Sequence, residues 1–306
     1  MWFVLLATAV LIPVLIVLYF FRLAVVRTRK SSFPQLMPNN DLFREQLKIM
    51  AVDREWLMDQ PQEKVSVKSF DGLTLRGRLL MSGDEKRIVL LVHGYRSLAL
   101  WEFPSVVRFY RNQGLGVLLI DQRACGESEG RYICFGALER YDLQRWIQFL
   151  YGRYPDVSIY LDGVSMGSTT VMLTLALNLP PTVRGAIADC GFTTPLAIMR
   201  HVQKTAFPRS GQWILKGIRL LLCLFAHYDP ANCSTLDALK MTRIPVLFLH
   251  GDADKFVPVE MTLANYSACA SEKRLKIVPG AGHGESYIWD RPGCEQAILE
   301  FIEAYG

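Results

Sequence analysis

The sequence has little charge of either sign and no repeated segment. Only 21% of its 306 residues are Asp, Glu, Lys or Arg, whereas 51% are hydrophobic. A chain with so few charges and so many apolar residues is neither disordered nor of low complexity. The absence of a fixed period excludes a solenoid of repeats. We therefore expect one large folded domain with a shorter additional segment.

Acidic residues are absent from residues 1–30, which hold Arg22, Arg27, Arg29 and Lys30. The whole chain contains 34 basic and 29 acidic residues, a formal charge of +5. Without those four residues, 30 basic residues stand against 29 acidic ones, so the remainder is almost neutral. A nucleic-acid surface needs a basic stripe across the fold, and we expect no nucleic-acid partner.

Residues 2–21 form a long segment without charge. About 20 apolar residues are enough for a helix to cross a bilayer. A cleaved signal peptide should have a charged start and a small-residue cleavage site. This segment has no charge at its start and ends in Tyr19-Phe20-Phe21. The sequence therefore predicts an uncleaved transmembrane anchor with its basic flank in residues 1–30, and a single-pass membrane protein.

The basic residues of the N-terminal segment all follow the predicted span. By the positive-inside rule, this arrangement predicts that the bulk of the chain is cytoplasmic. The seven cysteines are an odd number and lack metal-like CxxC spacing. Reduced thiols are therefore expected rather than a disulfide framework, which agrees with that location.

Residues 31–64 are predicted to be a linker followed by an amphipathic helix. Pro34 and Pro38 are typical of a linker, and Asp41 can cap the helix. The remaining residues, 65–306, form the predicted main domain.

This domain alternates between strand-like and helix-like segments. Two short strands, 65–70 and 73–81, are joined by Asp71-Gly72, a pair typical of a hairpin. Six further apolar runs have strand length: 88–92, 117–120, 157–161, 186–188, 246–249 and 275–278. Helix-length segments lie between them at 99–112, 136–150, 166–179, 258–271 and 292–304. The pattern predicts an α/β fold with a mostly parallel, eight-stranded sheet and helices on both faces.

Residues 195–243 are too long for a simple crossover and are predicted to form a short helical cap. Within them, the apolar run 213–226 has 14 residues, too few for a comfortable membrane span. It can line an acyl pocket, lean on a bilayer, or do both. Residues 195–228 contain no Asp or Glu, which favours an apolar substrate.

The strongest chemical motif is Gly163-Val164-Ser165-Met166-Gly167, which follows a predicted buried strand and precedes a predicted helix. This is the G-x-S-x-G pattern in the strand–turn–helix context of a nucleophile elbow. The glycines suit a tight, strained turn that exposes the hydroxyl of Ser165. A serine nucleophile also needs a base and an orienting carboxylate, which follow it in the order acid, then histidine.

Candidates for those partners end two later strands. Asp252 and Asp254 follow the strand 246–249, and His283 follows the strand 275–278. Because parallel strands end at the same edge of a sheet, we expect these side chains near Ser165.

Several segments resemble the α/β-hydrolase superfamily from about residue 65 to the end. The matching segments are His93-Gly94-Tyr95, Asp121-Gln122-Arg123, Gly126-Glu127-Ser128, Gly163 to Gly167, Gly251-Asp252-Ala253-Asp254 and Gly282-His283. Within the superfamily the chain is similar to membrane-anchored, single-domain serine hydrolases with a short cap, whose relatives include prolyl oligopeptidases and serine aminopeptidases. The resemblance implies an α/β-hydrolase fold and a Ser165, Asp254 and His283 triad.

By position, the resemblance also implies that the backbone N–H groups of Tyr95 and Met166 form the oxyanion hole. His93 and His250 are expected to be packing and hydrogen-bonding residues beneath the site. We expect no cofactor and no metal, because the candidate ligands lack metal-like spacing.

The sequence thus predicts a membrane-attached serine hydrolase that cleaves the ester bond of a small-molecule or lipid-like acyl substrate through an acyl-enzyme. The alternative is a serine peptidase of the aminopeptidase or prolyl-oligopeptidase type. A non-catalytic membrane-tethered scaffold on the same fold is the third hypothesis.

Overall fold

The computed structural model describes the backbone of residues 2–28 and 41–305, and the side chains of residues 11–28 and 48–305. Residues 29–40, which include the predicted linker prolines, lie outside this part of the chain. The predicted helix beginning at Asp41 is present as α2 (Asp41–Asp59), after the N-terminal helix α1 (Trp2–Ala24).

An eight-stranded sheet forms the centre of the described chain, as the sequence predicted. Its strands are β1 (Glu63–Lys68), β2 (Thr74–Leu80), β3 (Arg87–Val92), β4 (Gly116–Ile120), β5 (Ser158–Val164), β6 (Val183–Asp189), β7 (Val246–Gly251) and β8 (Lys273–Val278). Their order is β1-β2-β4-β3-β5-β6-β7-β8. The hairpin β1–β2 and the β2–β4 pair are antiparallel, and the other pairs are parallel.

Helices follow the strands along the chain. They are α3 (Ala99–Glu102), α4 (Pro104–Asn112), α5 (Glu139–Arg153), α6 (Met166–Thr174), α7 (Pro195–Ala206), α8 (Gln212–Leu221), α9 (Thr235–Met241), α10 (Val259–Ala268), α11 (Ser286–Trp289) and α12 (Arg291–Ala304). The predicted helix 99–112 is two helices, because Phe103 precedes a proline and leaves the helical conformation.

The core lies on both faces of the sheet because the central strands are buried throughout. Leu90 and Leu118 face one apolar layer, which includes Trp146 of α5. Leu91 and Leu119 face the other layer, which includes Phe301 of α12. This two-sided burial explains why the central strands read as continuous apolar runs rather than alternating ones.

The N-terminal helix differs from its prediction. Across the residues that the structure describes, no helix combines the length and the hydropathy needed to cross a membrane. The predicted transmembrane span, and the single-pass topology inferred from it, are therefore not supported. The described part of α1 packs against α8, where Gly217 lies so close to Val17 that a Cβ at position 217 would collide with it.

Candidate active site

Ser165 lies in a strained turn between β5 and α6. Its φ of 55° and ψ of −116° are unusual for a residue with a side chain. The flanking glycines are required by close backbone contacts: a Cβ at Gly167 would lie 1.8 Å from the carbonyl oxygen of Val92. At Gly163, a Cβ would lie 2.5 Å from the carbonyl carbon of Gly167. The local sequence therefore folds as a nucleophile elbow.

The structure brings Ser165, His283 and Asp254 into one hydrogen-bonded line. His283 Nε2 lies 2.9 Å from Ser165 Oγ, and His283 Nδ1 lies 2.7 Å from Asp254 Oδ2. The three residues follow β5, β8 and β7, whose carboxyl ends meet at one edge of the parallel sheet. A proton can pass from the serine hydroxyl to an imidazole whose other nitrogen is held by a carboxylate.

Asp254 is buried and held by four donors. The backbone N–H groups of Phe256 and Val257 donate to Oδ1 at 2.8 and 2.9 Å. His283 and His250 both contact Oδ2, the latter at 3.0 Å. Burial by itself would raise the pKa of Asp254, but the hydrogen bonds from His250 and His283 outweigh it and hold this pKa well below its usual range. The carboxylate is therefore ionised at neutral pH.

His250 supports Asp254 from beneath the site. Its Nε2 contacts two acceptors, Asp254 Oδ2 and the carbonyl oxygen of Val257, so Nε2 carries the proton. Its Nδ1 then accepts from the hydroxyl of Thr262 at 2.7 Å. His250 thus has a specific hydrogen-bonding role, which is to fix the carboxylate of Asp254 that contacts His283.

The rival carboxylate, Asp252, is exposed on the same loop. Its Oδ1 accepts from the backbone N–H of Gly280 at 2.7 Å. This contact ties the loop after β7 to the loop after β8. Asp252 is thus a loop-capping residue, and Asp254 is the acid that contacts His283.

The loop after β3 lies beside the elbow because β3 and β5 are paired with Val92 opposite Gly163. A Cβ at Gly94 would lie 3.5 Å from Ser165 Cβ, so Tyr95 directly follows a point of contact with the nucleophile. Met166 begins α6, and the first N–H groups of a helix have no intrahelical acceptor. Both predicted oxyanion donors therefore lie next to Ser165 in the chain or in space.

Two cavities meet at Ser165. The first, about 200 Å³ in volume, is here called the apolar cavity. Its walls include Phe20 and Leu23 of α1, Ile198 and Val202 of α7, and Ile214 and Ile218 of α8. The second, about 150 Å³, is here called the acidic cavity, because Glu102, Asp162 and Asp189 line it together with His283, Tyr287 and Arg291. Ser165 lines both cavities.

The three carboxyl groups of the acidic cavity escaped the sequence analysis. Burial raises the pKa of Glu102 and of Asp189, and it raises the pKa of Asp162 to about 7. Each has a hydrogen-bond donor: the Gly94 N–H for Glu102, the Tyr110 hydroxyl for Asp162, and Ser286 for Asp189. A sequence signal exists for Asp162 and Asp189, since both lie in the last residues of parallel strands, where ligands bind.

One set of three groups approaches a metal-ligand geometry. Cys190, Asp254 and His283 have ligand atoms within 4.8 Å of one another. Burial raises the pKa of the Cys190 thiol well above its usual value, and metals bind the thiolate. Both ring nitrogens of His283 also have protein partners. The donor set therefore suits hydrogen bonding better than metal binding.

The chain is similar to one family profile and to several curated proteins. The profile of the Hydrolase_4 family, described as serine aminopeptidase S33, matches residues 83–220. The protein YqkD of Bacillus subtilis is 25% identical over 239 residues, which cover 78% of each chain. Caffeoylshikimate esterase of Arabidopsis thaliana is 26% identical over 266 residues, which cover 74% of this chain and 76% of that enzyme.

A solved structure extends the likeness to the fold. The Pyrococcus furiosus esterase Pf2001 superimposes with a TM-score of 0.68 at 21% identity, over 82% of this chain and 93% of the esterase. The eight-stranded sheet and these matches define the class, an α/β-hydrolase fold.

Proposed function

We propose that the protein is a serine hydrolase that cleaves the ester bond of a small, apolar acyl substrate. The observation that carries this proposal is the continuous line of hydrogen bonds from Ser165 Oγ through His283 to Asp254. Such a line has the geometry of a nucleophile, its general base and the acid that orients the base. A purely binding protein has no use for a strained serine in this position.

In the first half of the reaction, Ser165 Oγ attacks the ester carbonyl carbon while His283 Nε2 takes the hydroxyl proton. Asp254 keeps His283 Nδ1 protonated and stabilises the imidazolium that forms. The bond between the carbonyl carbon and the alcohol oxygen then breaks, and His283 returns the proton to that oxygen. The alcohol leaves, and the acyl group remains on Ser165 as an ester.

In the second half, a water molecule attacks the acyl-enzyme and gives its proton to His283. The bond to Ser165 Oγ breaks, His283 protonates this oxygen, and a carboxylic acid is released. In both halves the negative oxygen is held by the N–H groups of Tyr95 and Met166. Loss of one such donor in other enzymes costs about 3–4 kcal/mol of transition-state stabilisation.

The apolar cavity supports an acyl substrate. Its walls are predominantly aliphatic and aromatic, and they contact Ser165 directly. The esterase names of the Arabidopsis relative and of the Pyrococcus structure agree with this substrate class. An apolar acyl chain in this cavity would place its carbonyl carbon at the serine hydroxyl.

A second candidate is a serine aminopeptidase, which the matching family profile favours. An aminopeptidase needs a carboxylate near the nucleophile to hold the substrate amine. The cap region has none in residues 195–228, but Glu102 lines the acidic cavity together with Ser165. The two candidates share one catalytic mechanism and differ in the bond that is cleaved.

The test uses the full chain, Ser165→Ala, and Ser168→Ala as the matched control. Ser168 is a buried serine one turn along α6 and takes no part in the contacts with His283. We expect a fluorophosphonate to label the native chain and Ser168→Ala but not Ser165→Ala. The same pattern is expected for hydrolysis of p-nitrophenyl esters.

Aminoacyl p-nitroanilides distinguish the candidates. Faster turnover of these amides than of p-nitrophenyl esters, both abolished in Ser165→Ala, would favour the aminopeptidase. A folded native chain that is neither labelled nor active would contradict both candidates and favour the non-catalytic scaffold instead.

A further inference from the structure

The C-terminal end of α1 is hydrogen-bonded to the predicted oxyanion loop. The Tyr95 hydroxyl donates to the carbonyl oxygen of Ala24 at 2.8 Å. The next residue, Arg96, donates from its guanidinium to the carbonyl oxygens of Leu23 at 2.6 Å and Val26 at 3.1 Å. The last carbonyls of a helix lack intrahelical partners. The loop beside Ser165 therefore supplies the donors that cap α1.

The segment that follows α1 is fixed to the rest of the fold as well. Val26 forms a β-bridge with Tyr132. The residues on either side of this bridge are joined across the two segments by backbone hydrogen bonds of 2.8 Å. The Arg27 guanidinium donates to the carbonyl oxygens of Ser128 and Gly126 at 2.6 and 2.7 Å. Val25 is fully buried. These contacts hold the end of α1 at a defined distance from the elbow.

Side chains from the same end of α1 form one wall of the apolar cavity. Phe20, Leu23 and Ala24 line it opposite the cap helices α7 and α8. Phe20 also packs edge to face on Phe207, with ring centroids 5.2 Å apart. Without these residues the cavity would be open on the side of α1.

We infer that the end of α1 belongs to the active site, with Leu23 and Phe20 setting the accepted acyl-chain length and Ala24 positioning the oxyanion loop through Tyr95. This inference rests on the proposed ester hydrolysis and deepens it. The hydroxyl of Tyr95 has a positioning role, because it contacts α1 and not the substrate. The carbonyl oxygen of Ala24 accepts a hydrogen bond from the Tyr95 hydroxyl, which fixes the ring, and the ring fixes the backbone N–H of Tyr95.

The geometry of the loop makes this support necessary. Arg96 has a φ of 55°, in the left-handed region that costs energy for a residue with a side chain. Such a conformation persists only where surrounding contacts hold it, and here those contacts come from Leu23 and Val26. On its other side, the Tyr95 ring stacks on Phe135, with centroids 5.4 Å apart. An oxyanion donor is effective only when it is held in place before the reaction.

The chain-length part is tested with two substitutions of opposite effect in the full chain. Leu23→Trp fills the cavity, and Phe20→Ala enlarges it. The measured quantity is the ratio of kcat/KM for p-nitrophenyl decanoate to that for p-nitrophenyl acetate. We expect at least a tenfold lower ratio for Leu23→Trp and a longer optimal chain for Phe20→Ala. Leu18→Trp is the matched control, because Leu18 is an exposed residue of α1 outside the cavity wall.

The positioning part is tested with Tyr95→Phe, which keeps the ring and removes the hydrogen bond to Ala24. We expect kcat to fall by about tenfold on every chain length while KM and the chain-length ratio stay near the native values. A purely structural role would lower the thermal unfolding midpoint without a uniform loss of kcat at temperatures where the variant is folded. Tyr151→Phe, an exposed tyrosine of α5, is the control.

The outcomes separate this inference from the proposed function. If the native chain hydrolyses esters and both cavity variants keep its chain-length ratio, the end of α1 is not a wall of the acyl site. If Tyr95→Phe keeps the native kcat, α1 does not position the loop. Absence of ester hydrolysis in the native chain would overturn the proposed function, and this inference with it.

Discussion

The apolar and acidic cavities both reach Ser165, but they are built from different kinds of residue. The apolar cavity takes its walls from helices that flank the sheet, including α1 and the cap helices α7 and α8. The acidic cavity takes its carboxyl groups from α3 and from the ends of β5 and β6. The first buries hydrocarbon, whereas the second buries groups that can carry charge. Under the proposed ester hydrolysis, the acyl group and the leaving group of a substrate would therefore meet opposite environments.

The two cavities also differ in how they contribute to stability. Burial of aliphatic and aromatic side chains stabilises the fold at every pH. Burial of carboxyl groups is unfavourable when they ionise, so its effect changes with pH. The buried carboxyl groups of the acidic cavity therefore lower the free energy of unfolding when they ionise, which is common at functional sites.

The largest expected effect comes from removing one wall of the apolar cavity. Deletion of residues 1–28 removes the buried side chains of Phe21 and Val25, each worth about 1.5–3 kcal/mol. It also removes several hydrogen bonds, each worth about 1 kcal/mol net. We expect unfolding in urea to show a loss of at least about 5 kcal/mol relative to the full chain. Equal stability of the full and the truncated chain would show that the end of α1 is not part of the folded core.

The second effect concerns the acidic cavity and depends on pH. Burial raises the pKa of Asp162 to about 7, above its usual 3.8, so the folded chain binds this proton more tightly than the unfolded chain. The stability that Asp162 provides in its neutral form is fully present below about pH 4 and is lost as the pH rises through about 7. Asp162→Asn should therefore stabilise the protein by a few kcal/mol at pH 8.

The same substitution should have little effect at pH 3, where Asp162 is neutral in the folded chain and mostly neutral in the unfolded chain. Thermal unfolding at the two pH values measures the difference. Asp156→Asn, at an exposed residue just before β5, is the matched control. A stabilisation of equal size at both pH values would contradict the assignment to ionisation.

A third effect distinguishes charge from hydrogen bonding in the acidic cavity. Glu102 Oε2 accepts from the Gly94 N–H at 2.9 Å, directly before Tyr95. Glu102→Ala leaves this N–H without its acceptor, at a cost of about 1–3 kcal/mol in stability. Glu102→Gln keeps an acceptor, so we expect its unfolding midpoint and kcat to lie between those of the native chain and Glu102→Ala. Identical kcat values for both variants would mean that the hydrogen bond does not support the loop.

The smallest effect concerns the substrate. At pH 8, esters of one acyl chain with a neutral or an anionic alcohol should differ by about tenfold in kcat/KM, because Asp162, whose pKa is about 7, and the neighbouring carboxyl groups repel an anion in their ionised forms. Arg291 also lines this cavity, but it is paired with Glu295 at 2.8 Å. The preference should weaken in high salt and in Glu102→Gln. A faster reaction with the anionic alcohol would place the leaving group outside the acidic cavity.

Much of the sheet could be predicted because its strands are buried on both faces. Each predicted strand run overlaps an observed strand, and the differences lie at the ends, such as β6, which begins at Val183 rather than at residue 186. The elbow was predictable because its requirements are local. A Cβ at Gly163 or Gly167 would collide with backbone atoms a few residues away or on the adjacent strand. Local rules of this kind are visible in the sequence.

Contacts between distant segments were not predictable in the same way. The hydrogen bond between Tyr95 and Ala24 joins residues 71 positions apart, and no periodicity marks either partner. Apolar composition alone predicted a membrane span in residues 2–21, whereas the contact of α1 with the cap helix α8 joins segments about 200 residues apart. Arg123 lies in the loop after β4, yet it is buried and paired with Asp142 of α5. Only the fold shows which partner a side chain has.

The cysteines have a practical consequence for following the cap in solution. Six of the seven are buried, and Cys223 is exposed within the short π-helix Leu222–Ala226 that continues α8. A maleimide fluorophore would thus attach at one position on the native protein, without any engineered thiol. Phe225, two residues further on, lies near Phe21 of α1, with ring centroids 6.3 Å apart. The emission of the attached fluorophore would therefore report separation of the cap from the N-terminal helix in real time.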